Sequence, residues 1–218
     1  MKNYLELSNP PLKFLKACKR LYKQHYKNYI FDIKMSERHI STDLPQSHKE
    51  ILRECIPVEV WNISWNCINN AGPPAPSHID RGRKTALQMP IVADPNVHFS
   101  YVLKDEKYFD KLKPKENPTG FIQKLETQWE NERYPNMPMF HYYQPEYFDV
   151  TPVKPWVPYL NDTSVPHGGI HSQQLPRYFF SLSIAGRKEI AELKEDFKDW
   201  LIIQPKHVNI SLDRNPAL

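Results

Sequence analysis

A chain of 218 residues, 40% hydrophobic and 25% charged, has enough apolar material for one sizeable core but no run of 18 or more apolar residues, so no membrane span is expected. Its net charge of +4 is too small to point by itself to nucleic acid. Cys18, Cys55 and Cys67 are odd in number, widely spaced and without a C-x-x-C pair, which argues against a disulfide framework or a structural zinc site.

Proline outnumbers glycine by 21 to 6, so the connections are expected to be stiff and extended and the chain β-rich. The start, Met1-Lys2-Asn3-Tyr4-Leu5-Glu6, lacks the apolar stretch of a secretory signal, and the expected location is cytoplasmic.

In chain order, residues 10–29 read as a helix. Asn9-Pro10 starts it, and Leu15, Cys18, Tyr22, Tyr26 and Tyr29 recur at spacings of three and four. The opposite face carries Lys13, Lys16, Lys19, Arg20, Lys23 and Lys27, a solvated flank in its simplest reading. Over 60–68 the period changes to two: Trp61, Ile63, Trp65 and Cys67 alternate with Asn62, Ser64 and Asn66, which predicts a strand. Asn69-Asn70-Ala71-Gly72-Pro73-Pro74 predicts a turn.

Strands are expected at 85–92 and 98–103, and a helix at 118–131 with Phe121, Ile122, Leu125 and Trp129 as its stripe. Phe140, Tyr142, Tyr143, Tyr147 and Phe148 form an aromatic cluster before short, proline-broken strands to 160. Residues 177–184 alternate again: Tyr178, Phe180, Leu182 and Ile184 share one face, and Arg177, Phe179, Ser181 and Ser183 the other. A closing helix, 187–201, carries Ile190, Leu193, Phe197 and Trp200.

The chemistry concentrates in His78-Ile79-Asp80. A separation of two puts both side chains on one face of a strand, where a distant imidazole completes a set of two nitrogens and one carboxylate on one side of a metal. Such a set leaves the other side open and suits non-haem Fe(II) chemistry with oxygen. His167, which Gly168 and Gly169 follow and from which Arg177 stands ten residues on, is a candidate for that imidazole, and His171 competes with it. Arg177 offers a planar fork that grips a carboxylate in bidentate fashion.

His78-Ile79-Asp80, Ala86-Leu87-Gln88-Met89-Pro90, His167 and Arg177 together resemble the Fe(II)- and 2-oxoglutarate-dependent dioxygenases. Residues 161–171, continued through Arg177, look most like the aspartyl/asparaginyl β-hydroxylase-like branch and related small oxygenases of phages and bacteria. The chain departs from that group at His171 and Gln88, where asparagine is common.

The resemblance implies a mainly β fold, a double-stranded β-helix (a jelly-roll or cupin-like barrel) over 58–184. Flanking helices are expected in an N-terminal appendage, 1–50, in an insertion or lid, 104–157, and at the C-terminus, 187–201, all in a single domain. It implies Fe(II) on His78, Asp80 and His167, 2-oxoglutarate on the metal and on Arg177 with Gln88 and Ser183 nearby, and O2 as oxidant. The products are succinate, CO2 and a hydroxylated substrate: an amino acid, a peptide side chain or another small metabolite. The carboxylate of Asp80 fills the position that halogenating relatives leave for chloride. Arg81, Arg83, Trp156 and His171 are candidates for the substrate. The alternatives are a jelly-roll binding protein without redox chemistry and an oxygenase acting on nucleic acid.

Overall fold

The computed structural model describes residues 3–27, 39–68, 77–80, 83–114, 140–171, 175–186 and 188–201. The helix expected at 118–131, the turn at 69–74 and Arg81 lie outside the described residues. Eleven strands are described: β1 (Tyr4–Glu6), β2 (His39–Asp43), β3 (Val60–Ile68), β4 (Ser77–His78), β5 (Thr85–Val92), β6 (Phe99–Leu103), β7 (Phe140–His141), β8 (Phe148–Pro152), β9 (Tyr159–Asp162), β10 (His167–Ile170) and β11 (Arg177–Ile184). They form two antiparallel sheets, ordered β1-β9-β5-β11-β3-β2 and β7-β4-β10-β6-β8.

The pairing has a simple logic. Take the β6–β8 pair as the tip of a two-stranded ribbon. Walking back from it in both directions pairs β5 with β9, β4 with β10 and β3 with β11, all antiparallel. The ribbon passes from one sheet to the other as it winds, and that winding is the jelly roll.

The expected bounds of β3, β5 and β11 agree with those observed, for β3 and β11 because their side chains alternate in character; β5 is largely apolar on both faces and buried on both. β11 is buried on both faces, and its two sets of side chains do different work. Tyr178, Phe180, Leu182 and Ile184 join Trp65, Leu87 and Met89 in a core sealed by Phe14, Leu21, Leu52, Leu193, Phe197 and Trp200 from the helices. Arg177, Phe179, Ser181 and Ser183 fall on the opposite face, toward the second sheet. The apolar core therefore lies outside the barrel, between the first sheet and its helices, and leaves the barrel interior for polar groups.

Two expectations change. The N-terminal stretch is not only helical: α1 (Leu12–Leu21) runs into a π-helical turn, Tyr22–Tyr26, and α2 (Gln46–Arg53) follows, but β1 and β2 form the two edges of the first sheet. Their short, mixed sequences carry no period long enough to read. The stretch 104–157, expected as a cover for the barrel mouth, contributes β7 and β8 to the second sheet. The closing helix is interrupted at Phe197 into α3 (Ile190–Asp196) and α4 (Lys198–Leu201), and α3 starts with a capping box between Glu189 and Glu192. No described helix is long and apolar enough to cross a membrane.

Phe180 is fully buried and meets Trp65 at 4.9 Å and Tyr26 at 5.6 Å between ring centroids. Phe180→Ala is expected to cost about 3–5 kcal/mol of stability, measured by urea unfolding. A loss below about 1 kcal/mol would contradict its place in this core.

Candidate functional site

Strand pairing alone brings the two histidines together. His78 and His167 are direct partners across β4 and β10, with ring centroids 4.4 Å apart. Asp80 stands just past β4, where its N–H donates to the Thr163 carbonyl at 2.8 Å and so ties the chain after His78 to the chain before His167. Its carboxylate reaches both rings: Oδ1 is 3.7 Å from His78 Nε2, and Oδ2 is 3.7 Å from His167 Nε2. One ligand atom from each of the three lies within 4.8 Å of the others, a set that can hold a metal ion. His171 is not part of it.

Hydrogen bonding fixes the chemical form of His167. Its Nδ1 is 2.9 Å from the Val165 carbonyl, which can only accept, so Nδ1 carries the hydrogen and Nε2 presents a lone pair. The ring is buried, and that burial keeps its pKa below the ordinary value against the opposing pull of Asp80. Neutral imidazole is the form a metal needs. For Asp80, burial would raise the carboxyl, but Arg83, with His167 and His78 behind it, outweighs that effect and holds it well below the usual carboxylate range. The site thus offers an ionised carboxylate and, at His167, a neutral nitrogen, with the His78 ring beside them.

Arg177 is 4% exposed. Its Nη2 donates to Tyr159 Oη at 2.5 Å, its guanidinium lies 4.6 Å from the Phe179 ring centre, and its Nε is buried with no hydrogen-bond partner. Among the described residues no carboxylate pairs with it. A buried guanidinium without a counter-ion is costly, and such a group can receive an anion. Gly169 lies beside it and makes room for the His171 ring: a Cβ there would stand 2.6 Å from that ring and 3.4 Å from Arg177 Nη1. Gly169 is two residues from His167, on the same face of β10, so the guanidinium sits roughly 7 Å along the strand from the metal ligands.

The remaining candidates divide. Gln88 lies on the inner face, where its Nε2 donates to Ser181 Oγ at 3.1 Å and its Oε1 is buried without a partner. Ser183, expected beside Arg177, is six residues up the same strand, roughly 20 Å away, and accepts from Arg83 instead. Arg83 grips Asp80 rather than projecting toward a substrate. Trp156, expected in the substrate pocket, packs against the core on the helix side of the first sheet, edge-on to Tyr22. Its backbone has φ of 63°, a conformation held by its N–H bond to the Pro90 carbonyl. Much of the aromatic cluster also belongs to packing: Tyr143 and Phe148 flank Tyr101 in a second core, Tyr147 packs on its edge against Tyr108, and Tyr142 is exposed. Tyr159 and Thr163 went unrecognised from the sequence, because no spacing relates them to Arg177 or Asp80.

No protein-family model matches the chain, and no curated protein matches it in sequence. Similar solved structures include the non-heme alpha-ketoglutarate-dependent epimerase SnoN from nogalamycin biosynthesis, at 12% identity and a TM-score of 0.41 over 83% of this chain and 77% of that one. HygX from Streptomyces hygroscopicus, with nickel and 2-oxoglutarate bound, aligns at 7% identity and a TM-score of 0.43 over 83% of this chain and 81% of that one. E. coli ycfD aligns at 11% identity and a TM-score of 0.39 over 82% of this chain and 43% of that one.

Gly168, which faces away from the site, is under a different constraint: a Cβ there would stand 2.3 Å from Tyr101 Oη. Gly168→Ala is expected to destabilise by about 1–3 kcal/mol in thermal or urea melts. The clash involves ring carbons as well as the oxygen, so Gly168→Ala should cost less in a Tyr101→Ala background than in the native one; an equal cost would place the strain elsewhere.

Proposed function

We propose that the chain is an Fe(II)- and 2-oxoglutarate-dependent oxygenase that hydroxylates an amino acid, a peptide side chain or another small metabolite. The observation that carries this reading is the convergence of His78, Asp80 and His167 on a shared centre, two residues along β10 from the place where a buried arginine meets no carboxylate among the described residues. The donor set fits the metal, because two imidazoles and one carboxylate with open positions beyond them suit Fe(II). The buried arginine fits the co-substrate: Arg177 keeps an Nε without a hydrogen-bond partner, a donor that a carboxylate can take.

In this reading His78, Asp80 and His167 hold the metal. Arg177, steadied by Tyr159, pairs with the distal carboxylate of 2-oxoglutarate, and Gln88 lines the space between. When bound, iron and 2-oxoglutarate supply the oxidising chemistry, in which O2 is consumed and succinate and CO2 are released. The protein's own work is geometric. The His167 tautomer aims one lone pair, Arg177 fixes the register of the co-substrate, and the inner faces of the two sheets shield the centre from water.

Anaerobic titration with Fe(II) and 2-oxoglutarate tests this by the visible charge-transfer absorption of the chelate. The native chain is expected to develop the band; His78→Ala and Asp80→Ala are not. Arg177→Met should keep metal binding but weaken 2-oxoglutarate roughly 10- to 100-fold, since a charge-assisted hydrogen bond contributes about 1.5–3 kcal/mol. A native chain that binds neither component would overturn the reading.

A further inference from the structure

Two arginines face the barrel interior, and their hydrogen bonds separate their roles. Arg83 Nε donates to Asp80 Oδ2 at 2.7 Å, and its Nη2 lies 2.6 Å from the same oxygen. Its Nη1 donates to Ser181 Oγ at 3.1 Å and to Ser183 Oγ at 3.0 Å. A guanidinium has five N–H donors, so four of them are committed to the protein. Arg177 donates to Tyr159 and keeps a buried Nε without a partner. Arg177 has donors to give a ligand. Arg83 cannot turn to one without releasing Asp80 and both serines.

We propose that Arg83 is a positioning residue for the metal centre, a brace that ties the Asp80 carboxylate to β11. The inference rests on the metal-centre reading above and deepens it. Asp80 needs such a brace because it lies outside any strand, in the connection between β4 and β5, and β4 itself has only two residues. Its backbone is held through Thr163, but that bond does nothing to stop the carboxylate rotating. β11 is the firmest support nearby, flanked by β3 and β5 along nearly its whole length. Because both contacts from Arg83 go to Oδ2, Oδ1 is left to the His78 side, which fixes how the carboxylate meets the centre.

Two effects of Arg83 on a bound cation oppose each other, and this makes the inference testable. Its positive charge repels a metal ion, so its removal favours binding. Its hydrogen bonds orient a ligand, so its removal disfavours binding. Loss of a residue that orients a metal ligand typically costs 10- to 100-fold in affinity, and the charge effect is softened because Asp80 already neutralises the guanidinium. Orientation is therefore expected to win.

The experiment is a Co(II) titration of the full chain without co-substrate, followed by calorimetry and by the visible d–d absorption that reports coordination geometry. Arg83→Met is expected to bind Co(II) about 10- to 100-fold more weakly with an altered spectrum. Arg83→Lys keeps the charge, but its one nitrogen cannot span Asp80 and both serines, so it should fall between native and Met. The paired change Ser181→Ala with Ser183→Ala cuts only the tether to β11 and is expected to weaken binding while the melting temperature stays near native. It also reads the brace should Arg83→Met fail to fold. Arg83→Met binding as tightly as native, with an unchanged spectrum, overturns the brace. Native chain that binds no Co(II), or binding that survives Asp80→Ala, overturns the metal-centre reading and the brace with it.

Discussion

The site depends on one register: His78 opposite His167 across β4 and β10. Side chains in a strand alternate faces, so a slip of one residue would send His167 out of the barrel and bring Gly168 in. β4 is too short to hold that alignment by itself. The register is set from the other side, where β10 pairs with β6 at four successive positions from His167–Val102 to Ile170–Phe99, and it is closed by the Asp80 to Thr163 bond past the end of β4. The metal-ligand geometry is thus a consequence of how the second sheet is laced, at a point where the lacing is only one pair wide.

That arrangement requires a barrel whose interior tolerates charge. Buried charges cost several kcal/mol each unless paired and hydrogen-bonded. The fold meets this by keeping its apolar core elsewhere, between the first sheet and the helices, so stability does not rest on what fills the barrel. Inside, the charges are treated unequally. Asp80 is matched by Arg83 and both histidines, and its ionised form is favoured over the neutral one despite burial. Among the described residues Arg177 is matched by a hydroxyl and a ring face and by no carboxylate. Part of its desolvation cost therefore remains, a cost that pairing with a carboxylate would relieve.

How far the sequence discloses this follows from the range over which each signal acts. β3 and β11 are long and alternate, so their bounds are legible to the residue, whereas β5 is largely apolar on both faces and is read from its length and the turn residues that follow it. The H-x-D pair is legible because it lies within a single turn of chain, and Arg177 because the distal histidine fixes its distance. What the sequence hides is whatever depends on pairing across the fold. Nothing in Tyr4–Glu6 announces an edge strand, since three residues cannot show a period. Trp156 looks like pocket lining because it is aromatic and belongs to the stretch expected to cover the barrel mouth, yet the chain turns through a left-handed residue there and delivers it to the outer core. Ser183 shares a face with Arg177, but sharing a face says nothing about the distance along it. Arg83 next to a metal motif reads as a free cation until Ser181 and Ser183 are seen within its reach.

The composition of β10 follows from these contacts. Only six glycines occur in the chain, yet two stand side by side here, at the centre of a sheet where glycine weakens a strand. Alternation assigns each a task. His167 points inward as a candidate ligand; Gly168 points outward and lets Tyr101 lie against the backbone; Gly169 points inward and leaves space for the His171 ring, with the Arg177 guanidinium beside it. A side chain at the first glycine would collide with the packing outside the barrel, and one at the second would collide with His171. The strand gives up local stability at both positions because an aromatic ring lies against its backbone on each face, and only residues without a Cβ allow both within three positions.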